Sequence, residues 1–587
     1  MGTKIKVETK EAAPLSGRPW TRHYDPDVPA SIVYPSVLLQ AMLDDAAENH
    51  PDSTATIFFN RKRSYRSISD AAWRFANGLR RLGVKTGDRV ALVLPNSPQF
   101  VIAFYGALRA GAVVVPCNPL YTPPELQYQL ADSGATVVVV LSRLYPVVKA
   151  ARALASRPGA PAPAAVQHVI VTNIKEEMPP VLRLLFTLAK EKKDGHRQPF
   201  AGDPGAVALS EVLSAPADPF DAGTGPDDLA VLQYTGGTTG VSKGAMLSHR
   251  ALVANTLQCR SWFTNLRDGG DASMAVMPFF HVYGLTVVMS LSVQGAAAMI
   301  LEPQFDLEHV LKDVQRYRPK LFSGAPRIYN AINNSPLATK YDLSSIEACV
   351  SGSAPLLIET HRRFVELTGA KLVEGYGLTE AAPVTHCNPL FGEGKQKVGS
   401  IGIPYPDVES KIVDLETGEH EMPVGEPGEL ILRGPQLMDG YYKRPEETAQ
   451  TLRNGWLYTG DIATVDPDGY VSIVDRKKEM IIVSGFNVYP REVEEALATH
   501  PAVMDSAAIG VPHPIKGEEV KAFVVLKPGA TATADEIRAH CEKHLAPFKR
   551  PKEIEFRDSL PKTLIGKTLR RQLAQEDKAK RKTAVPA

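Results

Sequence analysis

The chain predicts a layered α/β protein with a large N-terminal domain and a smaller α+β domain behind it. Three observations lead there. Its 587 residues exceed one ordinary domain. Short β-branched runs, RVALVL (89–94), AVVVPC (112–117) and TVVVVL (136–141), alternate with helical patterns, as parallel strands buried on both faces do. Late in the chain the character changes. Turn-rich, β-like stretches at 425–434 and 469–485 give way to a short second α/β pattern.

Each element has its own signal. Ser97 and Pro98 supply an N-cap and a first helical position for a helix ending near Gly111. Pro124 opens the next helix, and SRPGAPAPAAV (155–165) reads as a loop. In PPVLRLLFTLAKEKK (179–193), Val181, Leu182, Leu185, Leu188 and Ala189 share a helical face, with Arg183, Thr187 and Lys190 opposite. Packing on its own domain is the favoured expectation for that basic amphipathic helix, and a membrane surface is the alternative. PREVEEAL (490–497) opens a helix and KAFVVL (521–526) forms a strand. The expected organisation is a domain over 30–475, a boundary at 476–478 and a small domain over 479–575. Flexible tails are expected at 1–29 and 576–587, the latter because of its charge.

Composition narrows the function. Hydrophobic residues make up 44%, enough for a large core, and 66 Lys plus Arg balance 65 Asp plus Glu. That balance gives no global reason to expect nucleic acid. Five scattered cysteines without a CxxC pair fit neither a disulfide framework nor a zinc cage, and a reducing cytoplasm is expected. The N-terminus lacks an apolar signal core. The most apolar stretch, 283–301, is interrupted by Gln294 and Gly295, so no membrane span is expected.

YTGGTTGVSKG (234–244) carries the first chemistry. Gly236, Gly237 and Gly240 let backbone N–H groups approach an anion. Thr235, Thr238 and Thr239 add hydroxyls, and Lys243 adds charge. A Walker loop needs GK followed by Ser or Thr, whereas Lys243 lies between Ser242 and Gly244. A motor NTPase is therefore disfavoured, and a plain flexible turn stays open on the loop alone.

Further motifs follow: MPFFHVYG (277–284), SGSAP (351–355), EGYGLTE (374–380), GWLYTGD (455–461), VDRKKEMIIVSGFNVYPREVE (474–494) and PKTLIGKTLRR (561–571). In this order they resemble the adenylate-forming superfamily of acyl-CoA synthetases, peptide-synthetase adenylation domains and luciferases. The likeness runs from about residue 30 to 575 and is nearest to bacterial long-chain fatty acid–CoA ligases. Gly236 and Ser242 depart from the common YTSGTTGxPKG form, the former as in those ligases. Ile482 departs from the Lys common in coumarate-type ligases, which weakens an aryl-acid reading.

The resemblance implies that a carboxylic acid attacks the α-phosphate of ATP, giving acyl-AMP and pyrophosphate, before coenzyme A takes the acyl group. ATP would be held by Thr235, Gly236, Gly237, Thr238, Thr239, Gly240 and Lys243 on the phosphate side. Ser353, Ala354, Pro355, Glu374, Gly375, Tyr376, Gly377 and Thr379 would line adenine and the α-phosphate, and Asp461 and Arg476 the ribose. Mg2+ would be held by Glu380 and Thr238. Lys567 would be the adenylation catalyst, with His281, Thr379 and Glu380 beside the reacting groups. Lys478 would be a hinge, Ser484, Gly485, Phe486 and Asn487 would line the coenzyme A channel, and His281, Tyr283, Gly284, Gly324 and Gly352 the acyl pocket. Small residues there would leave room for a chain.

Fatty acid, ATP and coenzyme A are thus the expected partners, with peripheral attachment to the inner membrane face and a homodimer left open. A carrier-loading acyl-AMP ligase, an aryl or medium-chain ligase and a non-catalytic acyl or nucleotide binder are the alternatives.

Overall fold

The structure, a computed structural model, describes residues 5–9, 18–155, 166–235, 242–391, 395–484, 486–513, 515–563 and 566–584. Two compact units emerge. One comprises residues 1–409 with 433–457, and the other 410–432 with 458–587.

An eight-stranded sheet organises the first unit. From one edge its order is Gly440–Tyr441, Lys243–Ser248, Leu229–Thr235, Val113–Pro116, Arg89–Val93, Ala135–Leu141, His168–Thr172 and Ala206–Ala208. From Leu229–Thr235 onward the pairing is parallel, and the first two strands, Gly440–Tyr441 and Lys243–Ser248, pair antiparallel. Val90, Val114 and Val139 are wholly inaccessible, as continuous β-branched runs demand when helices cover both faces. The helix Pro98–Arg109 starts where expected, the Ser97 side chain accepting from the Phe100 N–H at 3.3 Å. Pro123–Ser133 carries a Thr122/Glu125 capping box.

A second sheet region holds Ala272–Ala275, Ala298–Leu301, Thr54–Phe58 and Arg61–Ser64. Single bridges at Leu321 lead from it to Ala348–Ser351, which pairs in parallel with Lys371–Gly377. The expectation of a flexible N-terminal tail fails over 18–29. Trp20 is buried, Tyr24 packs edge-on against Trp262 with centroids 5.2 Å apart, and Asp25 accepts from the Leu390 and Phe391 N–H groups.

In the second unit, Gly517–Leu526 is the central strand. It pairs antiparallel with Val503–His513 and with Ile481–Val483, and in parallel with Glu553–Phe556. Pro490–Ala498 and Ala534–His544 bury Val493, Leu497, Ile537 and Cys541 in a core with Val520, Ala522 and Val524. Phe523, Val525 and Ile509 form a separate core with Leu560 and Leu573. Leu573 belongs to the helix Arg570–Ala584, so the expected tail from 576 is helical as far as 584. Two of its charges are anchored to the sheet: Asp577 accepts from the buried Lys521 at 2.6 Å, and Arg581 meets Glu553 at 2.6 Å. All five cysteines are buried, and burial raises the Cys541 thiol to about 11.

The division by contact falls before the 476–478 boundary, because Glu429 accepts from both the Gly460 N–H at 3.1 Å and Lys477 Nζ at 2.8 Å. The loop expected at 155–165 lies, but for Ala155 in the helix Tyr145–Ala155, outside the described residues.

Candidate active site

The glycine-rich loop is the connection of an antiparallel hairpin, Leu229–Thr235 with Lys243–Ser248, in which Thr235 faces Lys243 and Tyr234 faces Gly244. Gly236, Gly237, Thr238, Thr239 and Gly240 lie outside the described residues; both stems are within them and are tied down. Ser242 Oγ donates to the Thr235 carbonyl, Tyr128 hydroxyl to the Ser242 carbonyl at 3.0 Å, and Tyr234 hydroxyl to Asp132 at 2.7 Å. The N-terminal end of the second stem therefore has a fixed place.

Lys243 opens that stem. Its ammonium lies 3.8 Å from Glu447 and 5.2 Å from the centre of the Tyr441 ring. The same tyrosine donates its hydroxyl to Glu380 Oε1 at 2.6 Å. Burial and the Glu380 charge raise the Tyr441 phenol, so it stays a donor. Tyr441 reaches this place because Gly440–Tyr441 extends the sheet beside Lys243–Ser248, Ala245 facing Tyr441. The Met438 N–H also donates to the Glu380 carbonyl at 2.8 Å. Lys243, Tyr441 and Glu380 thus form one chain of contacts, although 137 positions separate Lys243 from Glu380 (380 − 243). Sequence reasoning found its two ends and missed Tyr441, whose signal was the tyrosine pair in MDGYYKR.

Two more ties gather the motifs. Gln233 Nε2 donates to the Phe280 carbonyl at 2.9 Å, joining the hairpin to the His281 segment. Thr286 Oγ1 donates to the Ala382 carbonyl at 2.7 Å, joining that segment to the short helix Thr379–Ala381 that carries Thr379 and Glu380. Asn96 holds the His281 segment from beneath, donating to the Ala275 and Met277 carbonyls and accepting from the Phe279 N–H. Gln233, Asn96 and Thr286 were also missed. For Gln233 and Thr286 a polar residue within an apolar run was the only signal, and Asn96 sits among the turn residues of PNSPQ.

His281 is half-buried and accepts at Nδ1 from the Tyr283 N–H at 3.2 Å. After it the chain forms a buried π-helix, Gly284–Ser290. Gly284 is required there, since a Cβ would lie 2.2 Å from the Pro278 carbonyl oxygen. Beside it the expectation of open space needs correction. A Cβ on Gly352 would stand 3.2 Å from the Tyr283 ring, and one on Gly324 3.2 Å from the Tyr329 hydroxyl. Those glycines accommodate rings rather than vacant volume.

Tyr376 and Glu374 lie on Lys371–Gly377, Tyr376 facing His386 with ring centroids 6.1 Å apart. Gly375 and Gly377 flank Tyr376 on the same strand. Glu374 is paired in register with Ser351, so SGSAP leaves its strand next to EGYG. Ser353 takes the left-handed conformation (φ +71°) as it does so, and Ala354 is half-buried while Pro355 is exposed. The first unit therefore gathers the hairpin, the His281 segment and the Thr379–Glu380 turn, with SGSAP beside EGYG.

The second unit holds the remaining groups. Asp461, buried, faces Arg476 in register, Oδ1 to Nε at 3.2 Å. Lys567 sits in a turn where the Thr563 N–H donates to its carbonyl at 2.8 Å and its own N–H donates to Thr563 Oγ1 at 3.1 Å. Burial, then the Arg476 charge, brings its ammonium down to about 8, with Glu479 and Asp461 opposing. Arg570 beside it is held by Glu479 and Glu494. Lys478 is exposed. Ser484 (φ +52°), Phe486 and Asn487 belong to the tip of the hairpin Ile481–Val483 with Phe486–Val488, whose Gly485 is outside the described residues.

Among the described residues no group of three or more His, Cys, Asp or Glu could cage a metal. Glu380 offers one oriented carboxylate, and that donor set fits Mg2+, which keeps several waters and binds through one or two carboxylates plus substrate phosphates.

Comparison with known proteins gives the family. The family model described as AMP-binding enzyme matches residues 43–442, and that for the AMP-binding enzyme C-terminal domain matches 492–567. A long-chain-fatty-acid–CoA ligase of Bacillus subtilis is 44% identical over 570 residues, 96% of this chain and 98% of that one. A feruloyl-CoA synthase of an Amycolatopsis species is 36% identical, covering 89% and 96% respectively. Among solved structures, ATP-bound MatB from Rhodopseudomonas palustris superposes with a TM-score of 0.79 at 32% identity, covering 93% of this chain and 99% of that one. With both family models in order along its length, and a full-length relative at that identity, the chain belongs to the AMP-binding enzyme family.

Proposed function

We propose that this protein is a long-chain fatty acid–CoA ligase. It joins the acid to ATP as acyl-AMP with release of pyrophosphate, then transfers the acyl group to coenzyme A with release of AMP. The observation that carries this reading is the Lys243–Tyr441–Glu380 chain at the stem of a glycine-rich loop. There one cation and one oriented carboxylate share a chain of contacts, the two charges that a departing pyrophosphate and its metal would need, which supports this reading. The full-length ligase relative supports the choice of acid.

The roles divide by charge. Lys243 and the loop residues Thr235 to Gly240 hold the β- and γ-phosphates. Glu380, with Thr238, holds Mg2+, which when bound neutralises phosphate charge. Thr379 contacts the α-phosphate. Tyr376 gives adenine a ring face, with Ser353, Ala354 and Pro355 opposite and Glu374, Gly375 and Gly377 shaping the strand beneath. Asp461 accepts from both ribose hydroxyls, with Arg476 beside it. Lys567 cancels charge between the attacking carboxylate and the α-phosphate. Rotation about Lys478 exchanges Lys567 for Ser484–Asn487, which receive the pantetheine arm. The acyl chain runs along Tyr283 and His281, with Gly324 and Gly352 making room for rings rather than for the chain.

The deciding experiment is an AMP-release assay with and without coenzyme A across short, medium, long-chain and aryl acids. This reading expects AMP and acyl-CoA in equal amounts, fastest with long chains. A maximum with aryl acids would favour the feruloyl-CoA synthase relative's substrate class. Pyrophosphate and acyl-AMP that form while added coenzyme A releases no AMP would point to carrier loading.

A further inference from the structure

The helix Pro180–Ala189 contradicts the expectation that its apolar face packs on its own domain. Val181 is 73% exposed, Leu184 60%, Leu185 56% and Leu188 77%, whereas Phe186 is 9% exposed. At 3.6 residues per turn these four fall within an arc of about 100°, with Leu182, 36% exposed, about 60° beyond it and Phe186 on the far side. An exposed stripe of this kind marks an interaction surface.

The helix is held firmly at its base. Phe186 meets His196 edge-on with centroids 5.5 Å apart, and Ser142 Oγ lies 3.1 Å from His196 Nδ1. Buried Glu191 pairs with Lys175 at 2.7 Å and accepts from Asn173 at 2.9 Å. The leucines are therefore displayed by a built platform.

Charge identifies the occupant. Arg183 and Lys190 are exposed on the face opposite the stripe, and Lys192, Lys193 and Arg197 are exposed just beyond the helix's C-terminal end, against a single exposed carboxylate there, Asp194, in a chain whose net charge is only +1. We propose that Pro180–Ala189 docks the enzyme on an anionic lipid bilayer. The leucine stripe enters the headgroup–acyl boundary, and Lys192, Lys193 and Arg197 beyond the helix end lie at the phosphates. A second copy meeting stripe to stripe is the competing occupant, and the oligomeric state without vesicles distinguishes it. The inference goes beyond the proposed reaction and does not depend on it.

The test uses the full chain and vesicles without ATP, acid or coenzyme A. Flotation should be strong with phosphatidylcholine vesicles containing phosphatidylglycerol and weak with phosphatidylcholine alone. It should also fall when salt rises from about 50 to about 500 mM. Leu184→Glu with Leu188→Glu should lose tenfold or more of the binding, at about the strength expected for an interfacial helix. Lys192→Glu with Lys193→Glu should lose the preference for anionic lipid, about fivefold for each cation removed. Leu184→Ser with Leu188→Ser is a milder pair, and unchanged melting curves establish folding. Wild-type protein that stays with the soluble fraction, or leucine variants that float unchanged, would overturn the proposal. So would a vesicle-free dimer that the leucine variants split, since the face would then belong to a second copy.

Discussion

Among Arg476, Glu479, Asp461 and Arg570, the Lys567 ammonium titrates at about 8, and its proposed role needs the proton. Its cationic fraction is complete well below pH 8 and declines as pH rises through that value. Adenylation, read as pyrophosphate release, should decline in the same window. Lys567→Arg should flatten that limb at lower absolute rate. Lys567→Ala should cut pyrophosphate release by about 10²–10³-fold, the range for removing one charge-stabilising group, yet spare thioester formation from supplied acyl-AMP. Undiminished pyrophosphate release would refute the assignment. Tyr441→Phe keeps the ring beside Lys243 and removes only the donor to Glu380. The expected result is roughly tenfold weaker use of Mg·ATP, as for a lost hydrogen bond to a charged group, with melting little changed. Lys243 and Glu380 were legible because their motifs state their chemistry. Tyr441 was not, because a tyrosine in a polar turn earns its role only from the strand that pairs beside it.

The elements around His281 depend on close backbone contact. Gly284→Ala would drive a methyl group against the Pro278 and Met277 carbonyl oxygens. It should cost about 1–3 kcal/mol, read from thermal or denaturant unfolding, as overpacking does. Periodicity located most elements: RVALVL, AVVVPC and TVVVVL are parallel strands, and the Ser97–Pro98 start is a working cap. The π-helix Gly284–Ser290 left no such trace, since its apolar run suits any buried helix. At Pro180–Ala189 the pattern revealed a face, but amphipathicity alone does not say whether that face meets protein, lipid or water.

At the scale of the molecule, the C-terminal helix is an electrostatic graft. A charged sequence reads as solvated until the sheet beneath it is known, and here Lys521 waits among Asp577, Glu555 and Glu553. Asp577→Ala should destabilise by about 1–3 kcal/mol, since Glu555 at 2.9 Å still partners the lysine; unfolding by denaturant measures it. Lys478→Pro tests the hinge. By locking φ it should leave pyrophosphate release nearly intact and abolish acyl-CoA formation. Equal loss of both half-reactions would speak against rotation at that residue.

The buried cysteines acquire a meaning from this chemistry. Acyl-AMP is a mixed anhydride, able to acylate whichever thiolate it meets first. Cys117, Cys259, Cys349, Cys387 and Cys541 are all withdrawn from the surface, and burial raises the pKa of each thiol, keeping it protonated. The protein thus presents no competing nucleophile of its own sulfur, and the intermediate is left for the thiol that arrives with the substrate.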